Sequence, residues 1–252
     1  MTFLSVNVNK AAVLRNSRGG REPDPVALAR LALAAGSHGV TMHPRPDQRH
    51  IRLDDVLGIP PILGKAEFNL EGNPFASPRV GYPGLLELVR RVMPAQVTLV
   101  PDGDGQLTSD HGFDLSADLS ELEGLVRSFK QDAVRVSVFV DAGCSGLERL
   151  KACGVDRIEI YTGPFADAFS SGHFAPELDA CVRTANEARN AGLGVNAGHD
   201  LCQANLPVLL QAIPFIDEVS IGHALFCEAL HDGFGPTVRR YLAILESRRI
   251  TP

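Results

Sequence analysis

Histidines and glutamates recur at the ends of short β-branched runs in this 252-residue chain. His43 follows Gly-Val-Thr-Met, Glu71 closes Glu-Phe-Asn-Leu-Glu, His199 follows Val-Asn-Ala-Gly, and His223 follows Ser-Ile-Gly. Imidazoles and carboxylates are readily tuned toward neutral pH, so they can move protons beside a carbonyl. His43 and Glu71 sit on consecutive runs and form the natural proton-transfer pair. Glu159 lies between Ile158 and Ile160. In a strand its side chain points away from theirs, toward the opposite face. A carboxylate buried there must be paired or protonated. It either bonds to a neighbouring Arg or Lys or serves an active site electrostatically.

Two places suit phosphate. Asn-Ala-Gly-His-Asp (196–200) and Ile-Gly-His-Ala (221–224) carry glycines that let backbone N–H groups approach an anion. A second basic group comes from Lys10, Arg15 and Arg18 together with Arg45, Arg49 and His50. Guanidinium groups bind phosphate through two parallel hydrogen bonds. Two anion sites imply two phosphorylated substrates or one bisphosphate. No metal is expected, because there is no His-x-His and no His-Glu-x-x-His. The loop 101–114 is rich in Asp and Gly but lacks the position-12 glutamate of a calcium loop. Its length and three glycines suit a lid, with Thr108 and Ser109 able to reach a substrate.

These groups need a scaffold that gathers strand ends. Strands are expected at 4–8, 39–43, 66–71, 96–100, 134–140, 157–161, 194–196 and 218–221. Helices are expected at 25–35, 84–92, 117–130, 145–152, 176–191, 203–212, 224–229 and 237–247, with a weak element at 52–61. Strand–helix alternation implies parallel strands, and eight of them in about 250 residues suit an α/β (β/α)8 TIM barrel. A doubly wound open sheet competes, but the first strand runs into Val-Asn-Val-Asn-Lys, without a glycine-rich turn. No linker or low-complexity tract divides the chain, so one domain spanning 1–252 is expected.

Bulk properties narrow the function. The net charge of −6 argues against a nucleic-acid partner. No apolar run approaches the ~18 residues of a membrane span, and the N-terminus lacks the pattern of a signal peptide. Five scattered cysteines without a Cys-x-x-Cys fit reduced thiols of a cytoplasmic protein, mostly serving as packing residues.

In order along the chain, the motifs VNVNKAAVLRNSRGG, GVTMHPRPDQRHI, FNLE, LVPDGDGQLTSDHG, IEIYTG, VNAGH and IGHA resemble the pyridoxine 5′-phosphate synthase family. The resemblance implies condensation of 3-amino-2-oxopropyl phosphate with 1-deoxy-D-xylulose 5-phosphate. The products are pyridoxine 5′-phosphate, phosphate and water, and no cofactor takes part. It implies that His43 and Glu71 are general acid/base residues, that His199 donates a proton as phosphate leaves, and that Glu159 stabilises charge. Asn7, Arg18, Asp200, Gly222 and His223 would hold the amino-ketone phosphate. Asn9, Lys10, Arg45, His50 and Thr108 would hold the deoxyxylulose phosphate. It further implies a homo-oligomer, often an octamer, with helices beyond the eight of the barrel.

The chain departs from the family at three places. Asn9-Lys10 stands for a usual Asp-His, Asp102-Gly103-Asp104 for Glu-Lys-Arg, and Asp200 for glycine. The competing readings are another barrel isomerase or aldolase, and a non-catalytic barrel that binds a phosphorylated ligand.

Overall fold

Eight parallel strands pair in chain order, and the last returns to the first to close a barrel. They are β1 (Phe3–Asn7), β2 (Gly39–Met42), β3 (Glu67–Gly72), β4 (Gln96–Leu99), β5 (Arg135–Asp141), β6 (Arg157–Tyr161), β7 (Gly194–Gly198) and β8 (Glu218–Ile221). This architecture comes from a computed structural model that describes residues 1–247. The expected (β/α)8 TIM barrel is present, with strand ends displaced by one or two residues.

Each strand alternates strictly. Leu4 and Val6, Phe68 and Leu70, Val97 and Leu99, and Ile158 and Ile160 join one apolar cluster with helix residues such as Leu88, Val126, Leu150 and Leu209. Burying such a side chain contributes about 1.5–3 kcal/mol relative to exposure. The other face is polar. Gln96 on β4 bonds across the barrel to Asn196 on β7 at 3.3 Å and to Glu218 on β8 at 3.4 Å. Arg135 joins the same network through Gln96 and Glu67. Above it, Ser5, Thr41, Asn69 and Thr98 form a chain of bonds from β1 to β4. Barrel interiors are more often filled with Val, Ile and Leu. Here hydrogen bonding satisfies most of a buried polar core instead.

The helices are α1 (Asn9–Asn16), α2 (Pro25–Ala34), α3 (Leu53–Leu57), α4 (Leu85–Val92), α5 (Ser120–Gln131), α6 (Leu147–Ala152), α7 (Gly163–Ser171), α8 (Ala175–Asn190), α9 (Leu206–Ala212), α10 (His223–Asp232) and α11 (Phe234–Ser247). Asp24 caps α2 as its position before Pro25 suggests, accepting from Val26 N at 2.9 Å. The weak second crossover is α3 and a 3-10 turn at Pro60–Ile62, since consecutive prolines cannot extend a helix.

Two helices, α1 and α7, were not anticipated. Gly172, at φ +77°, ends α7 before α8 begins. α1 is short and lacks a side-chain cap, so little in its sequence marks it. Tertiary bonds hold it instead. Buried Arg15 pairs with Asp55 at 2.5 and 2.9 Å and donates to the His50 carbonyl at 3.1 Å. Asn16 donates to the carbonyls of Gln48, Arg49 and His50. Arg15 is therefore a staple between α1 and the β2 loop, not a phosphate ligand as its place in the basic run suggested. No helix among the described residues is long and apolar enough to cross a membrane.

The cross-barrel network makes a stability prediction. Gln96→Ala leaves Glu218, Asn196 and Arg135 short of a partner and should cost about 1–3 kcal/mol by denaturant unfolding. Lys151→Ala, at an exposed position, should cost less than about 0.5 kcal/mol.

Candidate active site

The loops after the strands enclose a cavity of about 510 Å³ at the C-terminal mouth of the barrel. It gathers thirteen of the fourteen residues to which the family resemblance gives a role. Asn7, Asn9, Lys10, His43, Arg45, His50, Glu71, Thr108, Glu159, His199, Asp200, Gly222 and His223 all line it. Arg18 does not; it is exposed just beyond α1.

The first three strands set His43 and Glu71, the expected proton-transfer pair. Asn7 accepts from Asn9 N at 3.0 Å and donates to Glu71 Oε2 at 3.4 Å. Asn9 Oδ1 in turn accepts from His43 N at 2.9 Å. His43 is buried, with Nδ1 at 3.8 Å from Glu71 Oε2 and Nε2 at 3.6 Å from Asp102 Oδ2. Burial, helped by the nearby His50 and Arg45, holds the His43 imidazole well below its usual pKa. Desolvation is the largest cause, because it disfavours the charged imidazolium. Glu71 moves the other way, to about 8, through burial and then the charges of Asp102 and Glu218. At neutral pH the pair is therefore a protonated carboxyl facing a neutral imidazole.

Glu159 points inward, as its place between isoleucines indicates, and no Arg or Lys among the described residues pairs with it. Its Oε2 is buried without a hydrogen-bond partner among the described residues. Burial, then Glu71 and Glu218, holds it well above the ordinary carboxylate range. The missing side chain of Gly198 makes its room: a Cβ there would collide with Glu159 Oε1. Beneath the mouth, burial pushes Glu218 up to about 7 against the opposing pull of Arg157 and Arg135.

His199 stands on the far wall, edge-on to Tyr161 at 5.3 Å and near Phe139 at 6.1 Å between ring centres. Its Nδ1 lies 3.3 Å from Asp200 Oδ2, and its Nε2 lies 3.2 Å from the Thr108 hydroxyl. That hydrogen bond to His199 is the main cause of the lowered Asp200 pKa. Gly222 packs tightly on Asn7, where a Cβ would approach Asn7 Cβ to 3.1 Å. His223 opens the ten-residue helix α10, whose first-turn backbone N–H groups have no partner within the helix, and Gly222 and His223 line the cavity. On the opposite rim, burial lowers His50 to about 3, and its Nδ1 accepts from Ile51 N at 2.9 Å.

The cavity also includes Arg49 and Ser109, which the basic run and the lid reading offered, and Phe139, which sequence reasoning did not assign to the site. Phe139 was detectable, because it shares the inward period of Ser137 on β5. Asp102 had no comparable signal: its role depends on a loop folding back. Among the cysteines, Cys181 is buried, whereas Cys227 is exposed beside His223, at 3.7 Å.

A family model described as pyridoxal phosphate biosynthesis protein PdxJ matches residues 4–247. The chain belongs to the PdxJ family. A relative from Xanthomonas campestris pv. campestris (strain B100), named pyridoxine 5′-phosphate synthase, is 59% identical over 97% of this chain and 96% of its own. One of the same name from Xylella fastidiosa (strain 9a5c) is 56% identical over 98% and 95%. Among solved structures, 3-keto-L-gulonate-6-phosphate decarboxylase from Vibrio cholerae superposes with a TM-score of 0.61 at 10% identity, covering 100% of this chain and 99% of that one. A tryptophan synthase alpha chain from Legionella pneumophila reaches 0.62 at 14% identity, covering 97% and 92%. At such identities the likeness is one of fold alone.

Family membership gives the Asp200 departure a physical meaning. His199 and Asp200 have φ of +86° and +56°. The usual glycine adopts that left-handed backbone freely, and aspartate is among the few other residues that tolerate it. Its carboxylate turns toward His199 Nδ1.

A pH dependence of stability follows. In the unfolded chain Glu71 loses its proton near 4.5, whereas the folded protein keeps it to about 8. Over that window the folded state binds more protons, so Glu71 makes stability fall as pH rises. Glu71→Gln should flatten this slope in unfolding curves measured across the window. An unchanged slope would place the Glu71 pKa near that of a free carboxyl.

Proposed function

We propose that this chain is a pyridoxine 5′-phosphate synthase that joins 3-amino-2-oxopropyl phosphate to 1-deoxy-D-xylulose 5-phosphate within the one cavity. What supports the reading most is the convergence of a proton-transfer set and two anion-binding rims on a single enclosed space. Binding alone needs no such acid/base set.

The rims divide the substrates. Lys10, Arg45, His50 and Thr108, with Asn9, hold the deoxyxylulose phosphate. Asn7, Gly222, His223 and the 198–200 turn hold the amino-ketone phosphate on backbone N–H groups. Arg18, outside the cavity, would have to move inward to take part. Between the rims, the amine nitrogen attacks the ketone carbon, and water leaves as the C=N bond forms. The protonated Glu71 can give the departing oxygen its proton. His43, neutral and within reach of Glu71, can take a proton from carbon next to the imine. His199 protonates the bridging oxygen as phosphate leaves. Glu159, buried and unpaired, faces the positive charge that develops on nitrogen. Placing both ketones in one dry cavity turns a bimolecular condensation into a local event.

The site of action is read as cytoplasmic. The assembly is read as a homo-oligomer, octameric by family resemblance. Exposed apolar side chains such as Leu31 and Leu230 would be partly covered in it.

Purified protein mixed with both ketones should release phosphate and pyridoxine 5′-phosphate in equal amounts. Glu71→Gln should lower kcat by about 100-fold or more, and Lys10→Ala should mainly raise KM for the deoxyxylulose phosphate. Tight binding of both ketones without product would contradict the reading and favour a ligand-binding barrel.

A further inference from the structure

We propose that Asp102 is a positioning residue for the proton-transfer pair: its carboxylate brackets the His43 ring opposite Glu71 and ties that ring to the loop covering the mouth. The inference rests on the reading of His43 and Glu71 as the acid/base pair. Asp102 is the third residue after Leu99, the end of β4, and its side chain is only 4% exposed. One oxygen, Oδ2, takes the Arg45 guanidinium and the Ser109 hydroxyl, the latter at 2.7 Å, and faces His43 Nε2 at 3.6 Å. The other, Oδ1, is buried with no partner among the described residues. Asn73 pins the backbone by donating to the Asp102 carbonyl at 2.7 Å.

This arrangement selects a tautomer. His43 has a carboxyl group near each ring nitrogen, Asp102 at Nε2 and Glu71 at Nδ1. A proton on Nε2 points at Asp102 and leaves the Nδ1 lone pair facing Glu71. In that state a protonated Glu71, 3.8 Å from Nδ1, faces a lone pair and not a second hydrogen. The hub reaches the lid as well. Arg45 and Arg49 both donate to the Gln106 carbonyl, and the Gln106 side chain accepts from Gly103 N. With Ser109 on Asp102, the loop from 103 to 109 closes over the carboxylate that holds the histidine. The resemblance places glutamate at this position in the family, so a carboxyl group is kept while the reach differs.

Other charges face the pair from every side. They are Lys10 from α1, Arg45, Asp47, Arg49 and His50 from the β2 loop, Glu159 from β6, His199 and Asp200 after β7, and Glu218 from β8. Within this set the Asp102 charge raises the proton affinity of Glu71 through space, second only to burial. Neutralising it lowers the midpoint at which Glu71 titrates.

The test compares full-length wild type with Asp102→Asn, which keeps the shape and the Ser109 contact, and Asp102→Glu. The Glu71 carboxyl is followed by carbon-13 NMR, its signal assigned by loss in Glu71→Gln. The pH profile of kcat is measured in parallel. The wild-type midpoint of about 8 should fall by about one pH unit in Asp102→Asn and return toward 8 in Asp102→Glu. An unmoved midpoint in folded Asp102→Asn overturns the proposal, even if turnover drops. Nitrogen-15 spectra of the His43 ring in wild type need no variant. A neutral ring with its proton on Nε2 is expected, and a proton on Nδ1 overturns the proposal. Absence of synthase turnover in the wild type would sink the functional reading, while both spectra would still decide the part played by Asp102.

Discussion

Glu71, Glu159 and Glu218 share the interior of one closed barrel, and they cannot all lose their protons at neutral pH. Burial is the leading cause of the raised proton affinity of each; the charge of Glu218 adds to it at Glu71 and Glu159, and that of Glu71 adds to it at Glu159. Water would relieve the conflict, but all three glutamates are buried. The conflict is instead turned to use. A carboxyl that keeps its proton near neutral pH can donate one beside a carbonyl, and a histidine kept neutral by burial can accept one. The acid and base roles at the mouth follow from this shared desolvation.

The rest of the structure maintains that environment. Apolar side chains on the outer strand face pack against the helices, which leaves the inner face free to be polar. The Gln96 network satisfies the lower half of the barrel without intruding on the mouth. Arg15 and Asp55 fasten α1, so that Asn9 reaches the His43 backbone and Lys10 lines the rim. The left-handed pair His199–Asp200 turns an imidazole into the cavity from the far side. Arg45 and Asp102 join the second and fourth loops above the same ring.

Much of this was legible in the residues. Period-two alternation and regular spacing of β-branched runs marked all eight strands, and hydrophobic burial obeys that pattern whatever the helices do. The polar strand ends told where the chemistry sits, since a barrel brings every C-terminal strand end to one rim. Other features were hidden because long-range bonds create them. α1 has weak local signals and exists through Arg15, Asn16 and their partners some 35 residues away. Arg15 and Arg18 looked alike in a basic run, yet one is a buried staple and the other is exposed away from the cavity. Asp102 needed a loop to fold back before its carboxylate met His43. The inner polar face was readable in principle from the same alternation that placed Glu159, applied to every strand.

The most direct test of the account is a crystal structure of the Glu71→Gln protein with both phosphorylated ketones. Both should occupy the one cavity, one phosphate beside Lys10, Arg45 and His50, the other on the backbone N–H groups near Gly222 and His223. The amine nitrogen and the ketone carbon should lie within about 3.5 Å of each other, next to His43. Two phosphates at the same rim, or a ketone bound outside the cavity, would contradict the claim that one desolvated site performs the condensation.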